Sequence, residues 1–346
     1  MNLFLSCLSL NSLYNSPFLS SFYKNANIQR FNVVYSRFSA VFGLPSFFIS
    51  KSSFRHFLDS PIWCESDCPV ITGNYENRNE SIVISGICCI IDKSLFSHCH
   101  LIVGSEGGAI RFRFKDNTLI VRNTMFDSCS TMGSAGAISF SGDNFTMSNS
   151  CGVNCSAEIC SFAKIIVGTQ ISKKSSFYES VISNCPSNDE LGAFYSLSVL
   201  YSILNLRYTN FTQNSLLFYG SSFRVASLTE LSFSFLNIER NSGKNVMLLE
   251  EVPSVQSFNK CNIINNTAEA ASIILYSHHM RMYQIIFSSN IGPLATNGWF
   301  REGNLLLFQC VFDKRYSIFE YVTTISCGID TNPATFVVND HEAKCS

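Results

Sequence analysis

Charge is scarce in this chain. Only 14% of its 346 residues are Asp, Glu, Lys or Arg, and the 24 basic and 25 acidic residues nearly cancel. Globular domains usually carry about a quarter. No basic stripe is available for nucleic acid, and no acidic tail is present. With 46% hydrophobic residues, the chain is too apolar to stay disordered. Long apolar runs are missing as well. No run reaches the roughly 18 residues that a membrane helix needs. Ile82–Ile91 is too short, and Ala193–Leu206 is broken by Ser and Tyr. The opening MNLFLSCLSLNSLYNSP has no Lys or Arg ahead of its short apolar stretch, so it makes no convincing signal peptide.

The cysteines do not form a scaffold. There are 15, an odd number and below disulfide-scaffold density. Spacings such as Cys64-x3-Cys68 and Cys151-x3-Cys155-x4-Cys160 match no zinc ribbon or finger, so no metal is expected. Five N-x-S/T sequons occur, at Asn79, Asn144, Asn154, Asn210 and Asn265. Given 31 Asn and 68 Ser plus Thr, chance alone predicts about six, so they say nothing about compartment. No P-loop, G-x-G-x-x-G or G-x-S-x-G occurs, and no cofactor is expected.

What the chain does have is a repeat. An apolar residue, four variable residues, an apolar residue, two more residues and then Asn or Cys recur as IDKSLFSHC, VRNTMFDSC, MSNSCGVNC, FYESVISNC, LRYTNFTQN, FSFLNIERN, FNKCNIINN and MYQIIFSSN. These end at Cys99, Cys129, Cys155, Cys185, Asn214, Asn241, Asn266 and Asn290, at intervals of 24 to 30 residues. A ninth copy ends at Arg315 without the Asn. Stacking the copies makes columns of one chemical type. One column is Ile91, Val121, Met147, Phe177, Leu206, Phe233, Phe258, Met282 and Leu307. Another carries Phe96, Phe126, Phe211 and Phe287, with Gly152 as its exception.

This period, with short apolar runs rich in β-branched and aromatic residues, predicts a β-solenoid. A single coil cannot bury its inward side chains. Stacking puts each on its counterpart about 4.8 Å away. A terminal Asn at an inward corner can satisfy backbone groups and bond along the column. A Cys there acts as a small hydrophobe. Adjacent coils would also bring Cys99 and Cys129, or Cys155 and Cys185, within disulfide reach, although buried free thiols are favoured. A second segment follows each corner: GGAIRF (107–112), AGAISF (135–140), CSFAKII (160–166), LGAFY (191–195) and AASIILY (270–276).

The expected architecture is all-β, a right-handed parallel β-helix of about nine or more coils with 24–30 residues each. Residues 1–80 read as an N-terminal cap with irregular coils, 81–315 as regular coils, and 316–346 as a C-terminal coil or cap. A β-sandwich is the weaker alternative.

The GGAI and AGAI segments and the F-x-x-N endings at Phe211–Asn214 and Phe287–Asn290 resemble the twin motif of polymorphic outer-membrane proteins. Those are surface proteins of intracellular bacteria, with similar β-helix proteins in some protozoa. The wider class is pectin-lyase-like. The resemblance covers roughly residues 85–315. It implies a cell-surface or secreted protein working by adhesion or host recognition, with a protein or glycan partner. Bacterial members carry a membrane barrel and protozoan ones often a transmembrane helix. Neither is read in this sequence, so a soluble or truncated member is expected.

An enzyme reading fares poorly. Polysaccharide hydrolases need paired carboxylates, and lyases need Asp clusters for calcium plus a base. In column register Asp92 falls on Arg122 and then Ser148, so no acidic column forms there. His278 and His279 point to opposite faces of any strand and cannot easily share a metal. The reading is therefore a non-catalytic protein, with a carbohydrate-active enzyme or an inactive truncated member as alternatives. Arg122, Tyr178, Arg207 and Tyr283 share one outward column and form the candidate lateral contact face. An ordinary solvated sheet face is the plainer reading of the same column.

Overall fold

The computed structural model describes residues 2–6, 9–10, 18–19, 25–30, 32–33, 41–42, 47–55, 62–64, 70–76, 82–84, 88–101, 106–113, 118–168, 173–186, 194–216, 221–226, 230–250, 256–269, 272–276, 279–297, 304–314 and 322–336. The chain divides into two compact units, Met1–Ile165 and Ile166–Ser346. Each is a parallel β-solenoid, and no helix occurs among the described residues.

In the first unit, Asn2–Ser6, Asn25–Gln29, Phe47–Arg55, Val70–Glu76, Cys88–Asp92, Thr118–Arg122 and Asn144–Ser148 pair in that order, all in parallel. In the second, the order is Lys174–Tyr178, Ile203–Arg207, Glu230–Ser234, Gln256–Asn259, Met280–Tyr283, Leu305–Phe308 and Val322–Ile325. Each unit thus has about seven turns. The nine motif copies account for only part of these rungs, because strands before residue 80 and after 315 also stack.

A turn is built from short strands joined at sharp corners. Ile203–Arg207 leads into Asn210–Thr212 and then Ser221–Ala226. The corners are left-handed residues that are not glycine. One column of them runs Glu179, Tyr208, Phe235, Lys260, Gln284 and Gln309, with φ between 47° and 55°. A second runs Asn184, Gln213, Arg240, Asn265 and Ser289 in the second unit. Side chains tolerate this region poorly, at a cost of roughly 1–2 kcal/mol per residue. The parallel ladder on either side of each corner holds the conformation.

Strand periodicity divides the side chains between interior and surface. In the first unit, Ile91, Val121 and Met147 are register partners with no exposed area. Tyr75, Phe96 and Phe126 stack face to face, with centroids 4.6 Å and 4.9 Å apart. In the second unit, Phe177, Leu206, Phe233, Phe258, Met282 and Leu307 form one buried column. Ile182, Phe211, Ile238, Ile263 and Phe287 form another. Gly152 breaks the aromatic column of the first unit for a steric reason. A Cβ there would lie 2.2 Å from the ring of Phe162, which packs edge-on to Phe126 with centroids 6.0 Å apart.

The GGAI motif is likewise structural. Gly107 sits at φ +80°, and a Cβ on Gly108 would meet the Gly136 carbonyl oxygen at 2.2 Å. Only a bare backbone lets these turns stack so closely. Ala109 and Ile110 both donate to the Ala137 carbonyl, at 3.0 and 2.9 Å.

Candidate functional site

The inward corner of the second unit is a continuous amide ladder. Nδ2 of Asn214, Asn241 and Asn266 donates to Oδ1 of the next Asn along, at 3.0–3.1 Å. Each Nδ2 also donates to a backbone carbonyl, of Ile182, Phe211 and Ile238 respectively. Asn290 closes the column on the Ile263 carbonyl. Cys185 opens it by donating its backbone N–H to Asn214 Oδ1 at 3.0 Å. All four Asn are buried. This is scaffold, with nothing left over for a ligand.

In the first unit, Cys99, Cys129 and Cys155 take the equivalent place. They are buried thiols outside any disulfide, and so is Cys185. Each thiol of the three lies 3.4–3.7 Å from backbone carbonyls. Burial pushes the Cys129 thiol well above its usual value. A protonated, desolvated thiol is a poor metal ligand and a poor nucleophile. Among the described cysteines, Cys151 is disulfide-bonded.

Three of the four residues of the expected contact column, Tyr178, Arg207 and Tyr283, share one register column in the second unit. Arg122 belongs to the first unit and is tied to Asp92 at 3.3 Å. Asp92 also accepts from Asn123 Nδ2 at 2.9 Å, so this carboxylate is occupied. In the second unit Tyr178 and Arg207 are register partners. Tyr283 lies three rungs beyond Arg207, with Ser234 and Asn259 between them. Tyr283 packs against Phe308, its register partner one rung further on, with ring centroids 5.7 Å apart. Asn205 Nδ2 donates to the Tyr178 hydroxyl at 3.2 Å.

What gathers around Arg207 is the neighbouring corner. The Arg207 guanidinium lies over the Tyr208 ring, 4.9 Å from its centroid. Tyr208 stacks on Phe235 at 4.8 Å, with 19° between planes. Lys260 places its ammonium 5.7 Å from the Phe235 centroid. Four side chains from three successive rungs thus form one cation–aromatic stack on an outward corner. The left-handed backbone at Tyr208, Phe235 and Lys260 points all three the same way. Sequence reasoning missed Tyr208, Phe235 and Lys260. The signal was available, since each directly follows a position of the outward column.

Other polar groups are bound locally. Asp313 and Asp330 sit on adjacent rungs. The first accepts from the Ser289 N–H and the second from the Asn332 N–H at 3.0 Å. His279 is exposed and accepts from the Asn304 N–H at 3.3 Å, while His278 lies outside the described residues. Among the described residues no cluster of His, Cys, Asp or Glu could hold a metal. No helix there is long and apolar enough to cross a membrane.

No family model matches the sequence, and no curated protein matches it. Among solved structures, tailspike protein 3 of bacteriophage CBA120 is similar to the chain with a TM-score of 0.30 and 11% identity. The match covers 94% of this chain and 58% of the tailspike, so the chain spans under two thirds of that protein's length.

Proposed function

We propose that the chain is a non-catalytic recognition protein of a cell surface or secreted milieu. It engages a protein or glycan partner through the lateral face of the second unit and the corner beside it. The observation that carries this reading is the Arg207–Tyr208–Phe235–Lys260 stack. Aromatic and Arg side chains are the residues that dominate recognition surfaces. Here the scaffold fixes them in advance, so a ligand does not have to order them. Cation–aromatic contacts at exposed sites contribute about 0.5–1 kcal/mol each, which suits a repeated array of weak contacts. Right-handed winding follows the usual handedness of parallel crossovers.

The test is binding of the purified full chain to glycan arrays and to intact cells, beside Arg207→Ala. Retention by the wild type and at least about tenfold weaker retention by the variant supports the reading. Equal retention of both sinks the role of the stack. Release of unsaturated or reducing ends from uronan polymers overturns the non-catalytic reading.

A further inference from the structure

The second strand of each turn in the second unit has its own outward column. Alternation with the buried Phe211, Ile238 and Ile263 puts Asn210, Asn237 and Asn262 on the outer face, one per rung. An outward column should be wet, yet this one is covered over much of its length: Val181, Asn210 at 4% exposed, Asn262 at 3% and Ile286 are buried, and Asn237 between the two Asn is half-buried. At Asn262 the cover is visible. Its Nδ2 donates to the Phe336 carbonyl at 2.9 Å, and its Oδ1 accepts the Phe336 N–H at 3.0 Å. A side-chain amide therefore reads both polar groups of one backbone residue, as a neighbouring strand would. Two rungs away, the Asn210 side-chain oxygen is buried without a hydrogen-bond partner. Buried amide oxygens are normally satisfied, so this one is set for a donor it does not have.

We infer that this Asn column is a docking groove for an extended, polyproline-II-like peptide, and that the chain's own segment 331–336 occupies part of it. The spacing supports this occupant. Two rungs separate Asn262 from Asn210, about 9.6 Å along the stack. A polyproline-II segment repeats every three residues, about 9.3 Å. One peptide face would thus meet both amides in the same orientation. The tail segment begins Thr331-Asn332-Pro333, compatible with that conformation. The inference deepens the recognition reading above by naming a partner class and a means of control, since a tethered occupant competes at millimolar effective concentration.

The test uses the full chain and a fluorescein-labelled peptide TNPATFVVND, which copies residues 331–340. Phe336→Pro removes the N–H that Asn262 accepts without touching the groove. Expected is binding of the peptide to Phe336→Pro at least about tenfold tighter than to the wild type. Adding Asn262→Ala should abolish it. Hydrogen exchange supplies a second readout, because the Phe336 amide of the wild type should exchange slowly and that of Asn262→Ala fast. No peptide binding by folded Phe336→Pro, or equally fast exchange in wild type and Asn262→Ala, overturns the groove. If Arg207-dependent surface binding persists in that case, only this inference falls. If surface binding is absent while the peptide binds, the earlier reading falls and the groove stands.

Discussion

Asn241 Oδ1 accepts two hydrogen bonds from Asn214, one from its Nδ2 at 3.0 Å and one from its backbone N–H at 3.1 Å. One oxygen thus satisfies a side chain and a backbone group of the preceding rung, and both are buried. The same two bonds recur from Asn241 to Asn266 and from Asn266 to Asn290. The ladder pins register, because a slip of one residue would put every amide on the wrong face.

Asn241→Ala removes one acceptor and orphans two buried donors of Asn214. Each unsatisfied buried group costs about 1–3 kcal/mol, so a loss of about 3 kcal/mol is expected. Urea unfolding of the full chain should show it. An unchanged midpoint would mean that water replaces the amide.

Gly152→Ala should destabilise the first unit by about 2 kcal/mol, because the new methyl lands on the Phe162 ring. Adding Phe162→Leu should recover part of that loss. A double-mutant cycle checks the coupling, and strict additivity would place the clash elsewhere.

Burial pushes the Cys261 thiol up to about 12, well above the usual range of a thiol. Burial acts in the same direction on Cys310, also at about 12. A raised folded-state value means that these thiols contribute fully below pH 9. As pH rises from 9 toward 12, the unfolded chain loses the proton first and stability falls. The slope reaches about 1.4 kcal/mol per pH unit for each such group. Unfolding free energies at pH 8 and pH 10.5 should differ, and Cys261→Ala should flatten the difference.

Phe235→Asn separates recognition from structure. Asn accepts the left-handed corner that Phe235 now holds at φ 54°. Stability should therefore fall by only about 1 kcal/mol, because the ring that is lost is half-buried at a surface corner. Binding to glycans or cells should weaken along with Arg207→Ala. Full binding by Phe235→Asn would show that the aromatic ring is a passive neighbour of Arg207.

The sequence by itself determined the period, the strand alternation and the chemistry of each inward column. Those are local properties: Ile91 and Val121 lie 30 residues apart because one turn consumes that many, and apolar spacing within a turn sets which face is buried. The Asn corner was legible for the same reason, since one residue type recurring at one phase must meet itself. Two further matters were decided only by the tertiary structure. Phe162 fills the space above Gly152 from a strand of another face, which no column through Gly152 contains. Phe336 reaches Asn262 across 74 residues of sequence. The corner stack stands between these cases. Its residues lie in one column, but the left-handed backbone that aligns Tyr208, Phe235 and Lys260 is imposed by the ladders on either side, against the preference of the residues themselves. Periodicity fixes what stacks on what, and long-range packing decides which outward groups are covered and which stay free to bind.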